Sequence, residues 1–241
     1  RGRSIRLDAI TSMKVLMLST DERFFSAGSE VRERMEAFGK FIEELHVVVY
    51  TRVPRGTYGE RIAPHVFAYA SRSRFRWRYF FDAYRIGKDI FRKGFAHGEW
   101  LITTQDPFET GCVGLLLKRR FRIPLQVQVH TDFMSAYFVG ESFKNRVRAS
   151  FAHLLVRRAD CLRVVSRRLK RSLMERVPGI PEERITVLPV FVDRARIARA
   201  PVETSLRATY PGRFIMIVAC RLTREKNIGL ALIARRAMEK K

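Results

Sequence analysis

Residues 14–51, KVLMLSTDERFFSAGSEVRERMEAFGKFIEELHVVVYT, decide the fold class. The run KVLMLST (14–20) is short, apolar and rich in strand-forming residues. From Gly28 to Leu45 apolar side chains return near helical spacing, through Val31, Met35, Phe38, Phe41, Ile42 and Leu45. HVVVYT (46–51) then reads as a second strand. A strand, an amphipathic helix and another strand in this order predict a parallel pair joined by a crossover helix, the unit of α/β folds.

The alternation continues along the chain. Strands are expected at HVFAYA (65–70), WLITTQ (100–105), PLQVQVH (124–130), DCLRVVS (160–166) and ITVLPV (185–190). Helices are expected over 79–93, from about Pro107 with Asp106 as its N-cap, over 143–158 and over 167–177. Residues 13–192 therefore read as a doubly wound, Rossmann-like parallel sheet. The segment DRARIARAPVETSLRATYPG (193–212) is polar, contains Pro201 and Pro211, and reads as a linker. At Arg213–Ala219 a strand pattern restarts, followed by a basic turn and a helix from Asn227, the opening of a second Rossmann-like domain over 213–241. Residues 1–12, basic at the start and lacking an apolar core of signal-peptide length, read as an extension ahead of Met13.

Composition narrows the class. With 46% hydrophobic and 11% aromatic residues among 241, the chain has enough apolar surface to fold. Its 47 Lys and Arg against 24 Asp and Glu leave a formal charge of +23, which favours polyanions: nucleic acid, an anionic membrane face or phosphorylated substrates. Cys112, Cys161 and Cys220 are odd in number and widely spaced, which supports neither a disulfide framework nor a zinc site and fits a reducing, cytoplasmic compartment. Apolar runs such as VGLLL (113–117) are far shorter than the roughly 20 residues that span a bilayer.

In open α/β sheets ligands bind beyond the carboxyl ends of the strands. Gly28, in the loop after the first strand, either offers free backbone amides to an anion or sugar hydroxyl or only admits a tight turn. The loop is not GxGxxG, and no GxxxxGK[ST] occurs, which weighs against dinucleotide enzymes and P-loop NTPases. His130, followed by Thr131 and Asp132, emerges from a strand end, where it can hydrogen-bond a substrate hydroxyl, stabilise developing charge or serve structure alone. Arg221 and Lys226 flank a turn that opens a helix, an arrangement suited to a diphosphate or to a solvated basic loop.

Two basic regions stand apart. SRSRFRWRYFF (71–81) interleaves Arg72, Arg74, Arg76 and Arg78 with aromatic residues, a mixture suited to lipid headgroups or stacked bases. Residues 118–173 carry fourteen Lys or Arg against Asp132, Glu141 and Asp160. The helix FKNRVRASFAHLLVRR (143–158) sets Lys144, Arg148 and Arg158 beside an apolar face, which suits either an anionic membrane or a core with a solvated basic side.

Several segments together resemble a known family. CRLTREKNIGLAL (220–232) resembles the signature that opens the donor-binding domain of glycosyltransferase family 4. VVSRRLKRSL before ITVLPVFVD resembles the family's approach to its Pro-Asn-Gly-Val-Asp-like turn, and TTQDPFETGCVGLLLKRRFRIPLQVQVHTDFMS resembles its acceptor-domain segment. The resemblance runs over 13–241. It implies a GT-B enzyme that transfers a sugar from a nucleotide sugar with retention of configuration and without a metal or other cofactor. It further implies that Arg221 and Lys226 hold the donor diphosphate, that His130 lies near the transferred sugar as the catalytic candidate, and that Gly28 and Asp132 belong to substrate-binding loops.

The chain departs from the pattern at Val190-Phe191, where the family has Asn-Gly, and at Cys220, where it often has Gly. The downstream Glu-x7-Glu segment does not occur, so the resemblance implies an N-terminal portion cut inside the first βα unit of its donor domain and inactive alone. With the basic surface, it points to a peripheral enzyme at the inner membrane face that acts on a lipid-linked or other acceptor in envelope polysaccharide or glycolipid synthesis. The competing reading is a nucleic-acid-binding or non-catalytic lipid- or partner-binding module. No RNP, KH, helix-turn-helix or zinc-finger pattern is present, which weighs against nucleic acid.

Overall fold

The computed structural model describes residues 12–52, 59–94, 98–201, 204–220, 222 and 226–238. The chain divides into two compact units, Arg1–Pro189 and Val190–Lys241. The first carries an eight-stranded sheet: β1 (Met13–Ser19), β2 (Glu44–Val49), β3 (Gly59–Ala63), β4 (Val66–Ala70), β5 (Glu99–Thr104), β6 (Leu125–Val129), β7 (Cys161–Val164) and β8 (Ile185–Val187). The spatial order is β3-β4-β2-β1-β5-β6-β7-β8. Every pair is parallel except β3 with β4. From β1 the chain winds outward through β2 and β4, then returns to lay β5 against the other side of β1. This is the doubly wound Rossmann-like arrangement, with its reversal between β1 and β5.

The unit's helices are α1 (Glu30–Gly39), α2 (Tyr79–Gly94), α3 (Glu109–Phe121), α4 (Ala136–Glu141), α5 (Phe143–Arg158) and α6 (Arg167–Arg176). Alternation along the strands divides the core. Leu16, Leu18, Val127 and Val129 join Ile86 of α2, Val113 and Leu117 of α3, Ala152 and Leu155 of α5 and Leu169 of α6 in one cluster. Val15, Leu45, Val47 and Val49 join Phe24 and Val31 in a smaller cluster on the α1 face. Burial of this set, each of its large apolar side chains worth roughly 1.5–3 kcal/mol, is what orders the sheet.

Small residues allow the close helix approaches on the larger face. A Cβ on Gly114 would stand 2.6 Å from Thr104 Cγ2 and 2.9 Å from Leu125 Cδ1, so only glycine lets α3 lie this near the sheet.

Three sequence expectations change. The edge strand β3 is not anticipated by the sequence; it forms by hairpin pairing with β4, with a register shift between Arg61 and Ala63 that suits an edge. Asp106 is not the N-cap of α3. Its Oδ1 accepts from the Phe108 N–H at 2.7 Å in a preceding turn, and the helix starts two residues later than Pro107.

The third change lies in the second unit, which contains α7 (Arg194–Arg199), α8 (Leu206–Thr209) and α9 (Ile228–Met238). The expected helix after Asn227 is present, whereas 213–219 form no strand. Among the described residues no neighbouring strand supplies the ladder that such a run needs, and Phe214, Ile217 and Val218 stay exposed. Residues 1–11, the greater part of the expected extension, lie outside the described residues. No described helix is long and apolar enough to cross a membrane.

Candidate functional site

The reversal between β1 and β5 brings their carboxyl ends side by side. Gln105 closes this point: its N–H donates to Leu18 O at 3.0 Å, and its Oε1 accepts from Ser19 Oγ and from Thr20 N–H, both at 2.8 Å. The following loop is held by Asp21, whose side chain accepts from Arg23 N–H at 3.2 Å, and by Ser29. The Ser29 hydroxyl donates to Arg23 O at 2.6 Å and accepts from Arg32 N–H at 3.2 Å, capping α1. Gly28 precedes that cap with φ of 70°, a left-handed backbone that favours glycine, and open space surrounds the position of its missing side chain.

On β6 the residues Leu125, Val127 and Val129 enter the core, so Gln126, Gln128 and His130 fall on the opposite face. There the polar groups interlock across three strands. Thr103 Oγ1 of β5 donates to Gln126 Oε1 at 3.0 Å and accepts from Gln128 Nε2 at 3.2 Å. Gln128 Oε1 accepts from Arg163 Nη1 of β7 at 3.0 Å and lies 3.3 Å from His130 Nε2. Because that oxygen already faces a guanidinium, the imidazole must donate to it through Nε2, which leaves Nδ1 as the acceptor.

The surroundings also favour the neutral form of the ring. His130 is exposed to solvent on one side; desolvation of the rest of the ring lowers its pKa, and the nearby Arg163 and Arg34 guanidinium groups lower it further. At neutral pH the ring is therefore uncharged and able to accept a hydrogen bond from a hydroxyl, with cations nearby for an anionic group. Arg163 is itself half-buried: Nη2 donates to Pro189 O at 3.5 Å, while Nε is buried without a partner. Burial and the Arg34 charge depress its pKa.

The structure thus groups His130 with Gln128 and Arg163, and with the field of Arg34 from α1. Asp132 turns elsewhere: its Oδ2 accepts from Ser172 Oγ of α6 at 2.9 Å. Gly28 lies at the turn into α1. Lys226 is exposed just before α9 in the second unit, and Arg221 lies outside the described residues. Sequence reasoning missed Gln105, Gln128 and Arg163. The glutamines alternating in LQVQV and the arginine inside CLRV, a strand otherwise apolar, were the available signals.

The model of the glycosyl transferase 4-like domain matches residues 42–190. No curated protein matches the chain in sequence. Among solved structures, sucrose-phosphate synthase from Thermosynechococcus elongatus is 16% identical with a TM-score of 0.56, over 73% of this chain and 48% of that one. A shorter form of that synthase aligns with a TM-score of 0.54 and 16% identity, over 77% of this chain and 93% of that chain. The N-terminal domain of Candida albicans trehalose-6-phosphate phosphatase gives a TM-score of 0.51 at 14% identity, over 87% of this chain and 54% of that one. These likenesses show the shared α/β fold, and this chain spans about half the length of the longer synthase chain.

Proposed function

Because the chain belongs to the glycosyl transferase 4-like family, we propose that it is the acceptor-side portion of an enzyme that transfers a hexose from a nucleotide sugar, with retention and without a metal. In this reading residues 13–192 form the acceptor side, 193–212 the linker and 213–241 the start of the donor-binding domain, where Arg221 and Lys226 grip the diphosphate. The acceptor is a lipid-linked precursor of envelope polysaccharide or glycolipid, and the charge of +23 draws the enzyme to an anionic membrane face.

The observation that carries the reading is the neutral imidazole of His130, oriented by Gln128 and Arg163 at the carboxyl end of β6 within the family-matched segment. A fixed neutral donor–acceptor ring at this place can bind a sugar hydroxyl in the ground state and respond to charge in the transition state.

The test is turnover of a panel of UDP- and GDP-hexoses by the complete gene product. His130→Ala is expected to lower kcat by roughly 100-fold with a smaller change in donor KM. Arg221→Ala with Lys226→Ala is expected to abolish transfer while the first unit stays folded. Undiminished turnover in the first variant would remove His130 from the site, and in the second would remove the diphosphate assignment.

A further inference from the structure

On the helix-covered face, away from His130, α3 and α5 flank a groove of about 730 Å³. Phe108, Leu115, Phe143, Val147, Phe151 and Leu155 line it, and its walls are almost wholly carbon. The sequence of α5 explains the opening. Ala149, Ala152, Leu155 and Val156 enter the core, while Phe143, Val147, Phe151 and Leu154 form a second apolar row facing out. Phe151 is 55% exposed and Phe143 74% exposed, an unusual outlay of apolar area for a helix already anchored by its other side.

The rim is cationic. Lys144, Arg148 and Arg119 border the groove, and only Arg148 is joined to an acid there, Glu109. Arg146 lies over the Phe143 ring at 5.7 Å. Along its length α5 has Lys144, Arg146, Arg148, Arg157 and Arg158 and no acidic residue.

The groove continues into the Arg-aromatic stretch. Phe80 lines it and meets Phe81 edge-on at 5.5 Å; Phe81 meets Trp77 at 6.4 Å, and Trp77 stacks on Phe75 at 6.2 Å. Trp77 is 67% exposed, with Arg74, Arg76 and Arg78 interleaved.

From this continuity we infer that the face is a docking surface for an anionic phospholipid bilayer, with the groove between α3 and α5 receiving a lipid acyl chain. A carbon-walled groove would leave the polar groups of a sugar or nucleotide without partners, whereas an acyl chain needs none. Exposed Trp and Phe beside long cationic side chains match the layered chemistry of a bilayer interface, apolar below and phosphate above. A second copy of the chain would set two cationic rims against each other. The inference shares with the function proposed above only the membrane as partner, and it is tested by binding rather than by turnover.

The experiment is co-sedimentation of the nuclease-treated chain with phosphatidylglycerol-containing and pure phosphatidylcholine vesicles, with tryptophan emission followed in parallel. The chain has two tryptophans, and Trp100 is only 7% exposed, so Trp77 reports the surface. Binding to the anionic vesicles is expected, with a blue shift of Trp77 and quenching by lipids brominated in the acyl chain. Phe143→Ser with Phe151→Ser, both at exposed positions, is expected to weaken binding about tenfold and to remove the part that persists at about 0.5 M salt, with far-UV dichroism unchanged. Failure to bind anionic vesicles overturns the inference together with the membrane assignment. Binding that salt abolishes, with Trp77 unquenched and the double variant unaffected, overturns the groove and leaves the charge-driven membrane reading standing. A change in sedimented mass without vesicles would show self-association and overturn the lipid as occupant.

Discussion

Gln105 ties the carboxyl end of β5 to that of β1: its Oε1 accepts from the Thr20 N–H at 2.8 Å at the point where the strand order reverses. Ser19 Oγ shares the same oxygen at 2.8 Å, and Ser19 is buried. One side chain from the β5 side therefore satisfies two donors at the end of β1.

Gln105→Ala is expected to destabilise the fold by about 1 kcal/mol, because a buried hydroxyl and a loop amide lose their acceptor together while water reaches the exposed one. Urea unfolding should show a lower midpoint with an unchanged slope. An unchanged midpoint would mean that water replaces the amide fully.

Gly111 and Gly28 should respond to alanine for different reasons. A Cβ on Gly111 would stand 2.8 Å from Leu155 Cδ1 and 2.9 Å from the Asp106 carbonyl, which is backbone and cannot yield cheaply. Gly111→Ala is expected to cost about 1–3 kcal/mol by overpacking. Gly28→Ala meets open space and is expected to cost about 1–2 kcal/mol through its left-handed backbone alone. Calorimetric melting separates the sites when each is paired with Leu155→Val: the added room should relieve only the Gly111 variant.

His46 makes stability depend on pH. It is stacked on Phe67 with centroids 5.1 Å apart, and its Nδ1 and Nε2 lie 3.0 Å from Tyr69 OH and Glu44 Oε2. Burial, the largest influence, lowers its pKa below 6.5 despite the pull of Glu44. The folded state then binds fewer protons than the unfolded state between the folded pKa and about 6.5. Stability should rise with pH through that window and level off above it. His130, also depressed, contributes in the same direction. In His46→Phe the slope should shrink to the His130 share, measured by urea midpoints at a series of pH values; an undiminished slope would reassign it.

Arg163→Gln should raise the His130 pKa. The substitution removes a neighbouring cation, so the protonated ring becomes easier to form, while the burial that lowers the pKa most remains. The shift should therefore restore only part of the depression. A proton–carbon NMR titration of the imidazole checks this directly. A fall in pKa would show that Arg163 acts mainly through Gln128 and not through charge.

Much of this architecture was readable before folding. The short apolar runs at 14–20, 46–51 and 100–105 and the helical spacing at 143–158 appear in the structure within a residue or two, because apolar content and helical spacing are local records of what an element buries. His130 falls beyond a strand end as expected, since strand polarity and alternation are local properties.

What tertiary structure alone decided is which elements are neighbours. Gln105 reaches Thr20 across 85 residues, Arg163 reaches Gln128 across 35 and Ser172 reaches Asp132 across 40. No periodic pattern encodes such partners, because they arise only when crossover helices bring distant strands into register. The same holds at the edges: β3 exists because β4 offers a free ladder, and 213–219 stay unpaired because no described strand does. Sequence determined the elements and the faces they bury; the closing of long loops determined the partners, and with them the surroundings that make His130 a neutral acceptor.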